Sequence, residues 1–451
     1  MKTVDIIERI EGEARLRLSW KDKKVSHSQI EFLNFRGFEY ILQNKPILDA
    51  LIYNPRICGI CGQAHLLTTV NAIENLYANA NVDLEISPKA KILRELGLSI
   101  EILDSHFKWF YMFIMPDLVS LSDKIYHGYD PLKGEKWLRA NKVASETIKA
   151  LAIYAGQWPH TSYMVPGGVM SDPTLLDLAT IENYIDQAII YTENNILGVS
   201  IDDYLAFDKV KDLEQLTGDL RDFSDISFET SMHTKGQSFD RHMVLGDSLG
   251  FKTGKITNKN VYKVNKEKIS ESDEFCFDPQ TKEQSSSKYG WAKTVKYNSE
   301  VYEVGPLSRA LVSNRGFVKS LHKEYKDSVL TRVFGRMDEL VFLLEHTKQL
   351  LKKIDVSEPS FIEPKISLKE FDGIKANATV EACRGSLFHE LIVKSGKIVT
   401  YDVITPTVWN LGPGTAENPG VAQKALLGLN SLKEATVVLR SFDVCSVCTT
   451  H

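Results

Sequence analysis

Apolar residues recur along this chain in two periods. Near the N-terminus Ala14, Leu16, Leu18 and Trp20 alternate with Arg15, Arg17 and Ser19, the period of a half-buried strand. "KDKK" supplies a turn and Val25 to Leu33 returns, so a β-hairpin is predicted. Helical spacing begins after "RICGICGQAH", through Leu66, Leu67, Val70, Ile73 and Leu76. Ser87-Pro88 reads as an N-cap with proline in the first turn. From there Ile92, Leu96, Ile100, Leu103, Phe107 and Phe110 predict a helix of about seven turns that stops near Pro116. A second long helix runs through "RVFGRMDELVFLLEHTKQLLKKI", with Val333, Met337, Leu340, Leu344 and Leu351 on one face. Lys348, Lys352 and Lys353 at its end suit the negative pole of the helix dipole. Further helical patterns fill 140–158 and 173–197. The stretch 200–300 is less typical; from about 240 it is rich in Lys, Ser, Asn and Thr with short runs such as "NVYKV", and predicts a β-containing excursion. "LFHELIVKSGKIVTYDVI" is a hairpin with Ser395-Gly396 at its turn. Length alone suggests about three domains. With no repeat and no linker, one domain over 1–451 fits better: mainly α with peripheral β-hairpins, an α+β body.

Composition adds exclusions. The chain is 43% apolar and 25% charged, enough to bury a large core. A net charge of −5 without basic blocks gives no footprint for nucleic acid. "FKWFYMFIMPDLV" is apolar, but it is too short for a membrane span and is broken by Lys108 and Pro116. The opening "MKTVDIIERIEGEARL" carries neither a secretory nor a twin-arginine signal. The expectation is a cytoplasmic chain without a transmembrane segment of its own, membrane-associated only through partners. Export on a partner's signal stays compatible.

The cysteines carry the chemistry. Four of the six form two Cys-x-x-Cys pairs, Cys58/Cys61 and Cys445/Cys448; the others are Cys276 and Cys383. Two intervening residues let both sulfurs of a pair turn to one point. Two pairs supply four thiolates for a soft or borderline metal. Spacing leaves the metal open between structural zinc, an iron–sulfur cluster, and nickel with iron. Bridging pairs so distant would also pin a terminus that otherwise frays.

Seven ordered segments narrow this: "RIEGEARL", "RGFE", "RICGICGQAH", "EVGPLSR", "EACRGSLFHE", "PTVWN" and "RSFDVCSVCTTH". Together the chain resembles the large subunit of nickel–iron hydrogenases, nearly end to end, with 200–285 contributing least. The resemblance implies a nickel–iron centre with carbon monoxide and cyanide on iron. Cys58, Cys61, Cys445 and Cys448 would hold nickel, and Cys61 and Cys448 would bridge to iron. It implies catalytic roles for Cys445, for Glu11 as proton acceptor beside it, and for Arg384 over the metals, with Asp443 anchoring Arg384. Thr407 would bond a cyanide, and His65 and Cys383 would lie just outside the ligands. Glu39 and His451, with the Leu411 carbonyl, would bind magnesium as a clasp. In this family the tail is often trimmed after that histidine. His106 and His160 read as structural.

This chain departs from the pattern at Glu13, Trp109, Cys383 and Val444, where the family usually has histidine, histidine, proline and proline. None of these removes an implied metal ligand. Hydrogen oxidation releases two electrons, yet Cys276 and Cys383 cannot build a cluster, and no Gly-x-Gly-x-x-Gly supports a dinucleotide. An iron–sulfur small subunit is therefore the expected partner, and dihydrogen the expected substrate. The competing reading is a hydrogen sensor that signals to a kinase. A respiratory quinone-side subunit is disfavoured because both cysteine pairs are present.

Overall fold

The computed structural model describes residues 2–7, 10, 12–257, 260–278 and 287–451. Its centre is a ring of four helices. Pro88–Lys108 packs on Glu135–Ala155, that on Leu175–Tyr191, that on Val329–Lys352, and the last again on the first. Ser87 caps the first helix, its Oγ accepting from Ala90 N at 3.2 Å. The step of three and four places Leu93, Leu96, Ile100, Leu103 and Phe107 inside. Ser99 and Thr347 hydroxyls meet at 2.6 Å where the two long helices touch. The first helix does not stop near Pro116. It widens into a π turn over Trp109–Ile114 and continues as Met115–Val119, with Pro116 in the first turn of that last piece.

Helix Gly62–Asn79 is buried on almost every face. One side meets the ring through Pro88–Lys108. The other is covered by an antiparallel sheet of Ile374–Ala382, Gly385–Lys394 and Lys397–Ile404. Between Ser395 and Gly396, both at positive φ, the last two strands turn. The N-terminal hairpin, Ala14–Lys21 with Lys24–Phe32, turns at Asp22-Lys23. Its register pairs Ala14 with Phe32 and Leu16 with Ile30, so one face is buried and apolar except for Ser28 opposite Leu18. A third strand, Lys2–Ile7, adds to its outer edge. Within 200–300, Ile201–Leu205 and Asp219–Glu229 are helical. The β content begins with His242–Val244, Gly254–Thr257 and Asn260–Tyr262, followed by the pair Ile269–Ser272 and Thr294–Tyr297. Among the described residues no helix is long and apolar enough to cross a membrane.

Candidate metal centre

The two cysteine pairs meet in the interior. Cys58 and Cys61 lie on the tight turn between Asn54–Arg56 and helix Gly62–Asn79. The turn wraps its own amides around the first sulfur, Ile60 N and Cys61 N each donating to Cys58 Sγ at 3.4 Å. Cys445 immediately precedes the last helix, Ser446–Thr449, and Cys448 sits within it. Cys58 Sγ lies 3.7 Å from Cys445 Sγ, and Cys61 Sγ 3.4 Å from Cys448 Sγ. All four are buried and none is in a disulfide. The sulfurs of Cys58, Cys445 and Cys448 fall within 4.8 Å of one another, as do those of Cys61 and Cys448 with a ring nitrogen of His65.

Four buried thiols cannot all ionise without a cation. Burial resists charge on Cys58, but S–H donation from Cys445, Cys448 and Cys61 and the charge of Arg384 hold it well below the ordinary thiol range. Burial and repulsion from that thiolate push Cys445 and Cys448 well above it. A soft metal ion would remove this conflict by taking all four as thiolates.

Arg384 is buried beside the sulfurs and stays charged. Its Nε donates to Asp443 O and its Nη2 to Asp443 Oδ1, both at 3.0 Å, while Nη1 reaches Cys383 Sγ at 3.3 Å. Burial raises the Cys383 thiol to about 11, so it stays protonated. Asp443 has a second cation: Arg336 Nη1 donates to its Oδ2 at 2.7 Å. Trp109 holds Arg336 from behind, the guanidinium lying 4.4 Å from the indole centroid, and Trp109 Nε1 donates to Arg440 O at 2.8 Å. Trp109 thus carries the arginine pair. Neither Arg336 nor this role of Trp109 was visible in the sequence, because no spacing ties them to residue 443.

Thr407 begins helix Pro406–Leu411, and its buried hydroxyl has no hydrogen-bond partner. The neighbouring Thr405 Oγ1 donates to Cys448 O at 2.8 Å. His65 Nδ1 pairs with His389 Nε2 at 3.1 Å, and burial holds His65 down at about 4, so it is neutral. His106 bonds Glu339 at 2.9 Å and His160 bonds Pro55 O at 3.0 Å. Sequence reasoning also missed Glu101. Its carboxylate accepts from Gln63 N at 2.7 Å and Ala64 N at 3.1 Å, capping the helix that follows Cys61. Burial outweighs these donors and raises it to about 8. Glu11 lies outside the described residues.

Beside the tail is a second polar cluster. His451 Nδ1 donates to Cys448 O at 2.8 Å. Its Nε2 is buried and lies 3.5 Å from Glu39 Oε1, and that carboxylate outweighs burial and raises the imidazole above its ordinary range. Lys293 Nζ bridges Glu39 at 3.0 Å and Glu271 at 2.7 Å. Leu411 ends its short helix, so its carbonyl has no helical partner. A cation bound here would displace the imidazole proton and take Glu39 and His451 Nε2 as ligands.

The seven ordered segments interlock around the sulfurs. Arg36 of "RGFE" donates to Ile57 O and Arg56 O on the cysteine turn, and its amide donates to Thr450 O in the tail. Glu303 and Arg309 of "EVGPLSR" are clamped by Arg332 and by Glu339 with Glu381. Asn410 of "PTVWN" exchanges two 3.0 Å bonds with Val304. Gly12 and Glu13 abut Val447 and Ser446, whose hydroxyl donates to Glu13 O.

The fold and the four-sulfur centre define a metal-binding protein, and comparison with known proteins narrows the class. A family model described as nickel-dependent hydrogenase matches residues 36–134 and 130–451. The chain belongs to the nickel-dependent hydrogenase family. It is 25% identical to the periplasmic [NiFeSe] hydrogenase large subunit of Desulfomicrobium baculatum, covering 100% of this chain and 94% of that one. It is also 25% identical to the sulfhydrogenase 1 subunit alpha of Pyrococcus furiosus, over 100% and 97%. The Ni-Fe-Se hydrogenase of D. vulgaris Hildenborough in its reduced state shares the fold, with TM-score 0.83, 22% identity and full coverage of both chains. All four soft donors in the present chain are cysteine sulfurs.

Proposed function

We propose that this chain is the catalytic subunit of a nickel–iron hydrogenase, splitting dihydrogen reversibly into two protons and two electrons. The observation that carries this is the meeting of Cys58 with Cys445 and of Cys61 with Cys448, at 3.7 and 3.4 Å, across a separation of 387 residues. A nickel–iron pair bound there, with carbon monoxide and cyanide on iron, supplies the redox and Lewis-acid chemistry. Cys58, Cys61, Cys445 and Cys448 would hold nickel, with Cys61 and Cys448 also serving iron. Cys445 Sγ receives one proton and passes it to Glu11. The packing of Gly12 and Glu13 on Ser446 and Val447 supports that neighbourhood. Arg384 holds a fixed positive charge over the reacting atoms, and the free Thr407 hydroxyl donates to a cyanide. Glu39, His451 and the Leu411 carbonyl would hold a magnesium ion that closes the tail. Electrons leave through an iron–sulfur partner, because Cys276 and Cys383 bond to different elements, to Ala292 O and to Arg384, and cannot form a cluster. No observation favours the hydrogen-sensing reading. We assign the chain to the cytoplasm, associated with membranes only through partners.

Metal analysis with infrared spectroscopy of the purified complex tests this. Nickel at one per chain, with bands of metal-bound carbon monoxide and cyanide, is expected; zinc without nickel overturns the reading. Glu11→Gln is expected to cut turnover at least tenfold with nickel retained. Unchanged turnover removes Glu11 from the proton path.

A further inference from the structure

Apart from the four sulfurs, three residues of the β-containing region and its neighbour helix converge. His242 opens strand His242–Val244, His322 lies on helix Gly316–Tyr325, and Asp240 sits on the loop just before the strand. One ligand atom from each falls within 4.8 Å of the other two. His242 is wholly buried, with its Nδ1 3.1 Å from Ser308 Oγ. That hydroxyl donates its own hydrogen to Glu303 O at 2.8 Å, so towards His242 it accepts, and Nδ1 carries the imidazole proton. Nε2 is therefore a bare lone pair. It is buried without a hydrogen-bond partner and faces Asp240 Oδ1 at 3.8 Å. A lone pair aimed at a carboxylate is repulsive unless a cation lies between them.

His322 faces the same carboxylate. Its Nε2 lies 2.9 Å from the same Oδ1, close enough for an ion pair with the imidazolium or for both atoms to share one metal ion. Ligands about 2.0–2.1 Å from one tetrahedral ion stand about 3.3 Å apart. The two observed separations fall on either side of that figure. Asp240 is held at a positive φ of 53° by its amide's bond to Asp327 Oδ2 at 3.2 Å. The loop is thus fixed with the carboxylate turned inward, while the residue stays exposed enough for an ion to enter. Among the described residues a competing cation, Lys326 Nζ, is 3.9 Å from the other oxygen. Ser308 orients His242 as outer partners orient metal-bound imidazoles.

We propose that Asp240, His242 and His322 form a site for a divalent transition ion of the zinc class, with a water in the fourth position, distinct from the four-thiolate centre. Two imidazoles and one carboxylate suit zinc over magnesium or calcium, which prefer oxygen. The ion would staple helix Gly316–Tyr325 to the strand region. This does not depend on the hydrogenase reading. To test it, the nickel-loaded complex is equilibrated with excess zinc sulfate and then freed of loose ion by buffer exchange. Zinc and nickel are counted per chain in the wild type, His322→Ala and Asp240→Asn. Wild type is expected to retain one zinc per chain more than either variant at equal nickel. Anomalous diffraction across the zinc edge is expected to place that ion between the two Nε2 atoms. Equal zinc in all three, or no anomalous peak at that position in the wild type, overturns the proposal. The wild-type map decides the matter even where a variant fails to fold.

Discussion

At the scale of single residues, the centre is a problem of placing charge where water is absent. Asp443 is the hinge of the solution, since its carboxylate answers Arg384 with one oxygen and Arg336 with the other. Removing one partner of a buried ion pair costs about 3–5 kcal/mol, mostly from the charge left alone. Asp443→Ala is therefore expected to lower stability by about that amount, and Asp443→Asn to lose less. Thermal denaturation checks the order. In Asn the guanidinium of Arg384 loses its charged anchor, so turnover should fall at least tenfold with nickel still bound. Glu101 makes the opposite case, a carboxyl raised to about 8 from an ordinary 4.5. The folded chain keeps a proton that the unfolded chain has lost. Its contribution to stability is therefore full below about 4.5 and is lost as pH rises towards 8. Thermal midpoints from pH 5 to 8 should fall more steeply in the wild type than in Glu101→Gln. Equal slopes would show that Glu101 does not titrate in this window. Cys58, Cys61, Cys445 and Cys448 were legible because Cys-x-x-Cys is local. Glu101, Arg336 and the Asp240, His242, His322 cluster were not, because their partners lie a long way along the chain and share no periodic pattern.

At the scale of elements, the periodicity of apolar residues and the local cap and turn residues were a good guide, even for helices buried on most faces. Ser87 and the three-and-four step located helix Pro88–Lys108, alternation located the N-terminal hairpin, and the Ser395-Gly396 turn located the second. It failed where backbone geometry overrides side-chain pattern. The π turn at Trp109–Ile114 carries the helix past the proline expected to end it. Edge strand Lys2–Ile7 gains its place by pairing with Ala14–Lys21, which a single-sequence pattern does not record. Two glycines show how tightly elements cross near the centre. Gly305 has φ of 124°, and a Cβ there would lie 2.9 Å from Arg384 O. Gly385 has φ of 129°, and its Cβ would lie 2.6 Å from Gly305 N. Each lets "EVGPLSR" touch the turn that carries Arg384, backbone on backbone. Gly385→Ala must push the two segments apart and adopt a backbone conformation costing ~1–3 kcal/mol. The expected result is reduced nickel occupancy in the purified protein and a lower thermal midpoint. Full occupancy with normal turnover would show that Arg384 tolerates the shift.

At the scale of the whole molecule, the tail and the first cysteine turn are distant in sequence and are tied by two kinds of bond. One kind belongs to the polypeptide: Arg36 N to Thr450 O at 3.1 Å, Thr405 Oγ1 to Cys448 O at 2.8 Å, and Arg384 to Asp443. The other is the four-sulfur cluster, which in the absence of metal can hold only weak S–H contacts and one thiolate. The two kinds respond differently to metal loading. The buried brace of Arg309, Glu339 and Glu381, with 2.6 to 2.9 Å contacts, is built from side chains of fixed charge and needs no ion. Amide hydrogen exchange should therefore separate them. In chain prepared without nickel, residues 445–451 and 57–62 are expected to exchange at least tenfold faster than in the loaded enzyme. Helix Val329–Lys352, which carries Glu339, should exchange at the same rate in both forms. Slow exchange of the tail in both would mean that the polypeptide contacts alone close the molecule, and that the metal enters a site already shut. Faster exchange everywhere would mean that the metal supports the whole fold, a conclusion the buried brace argues against.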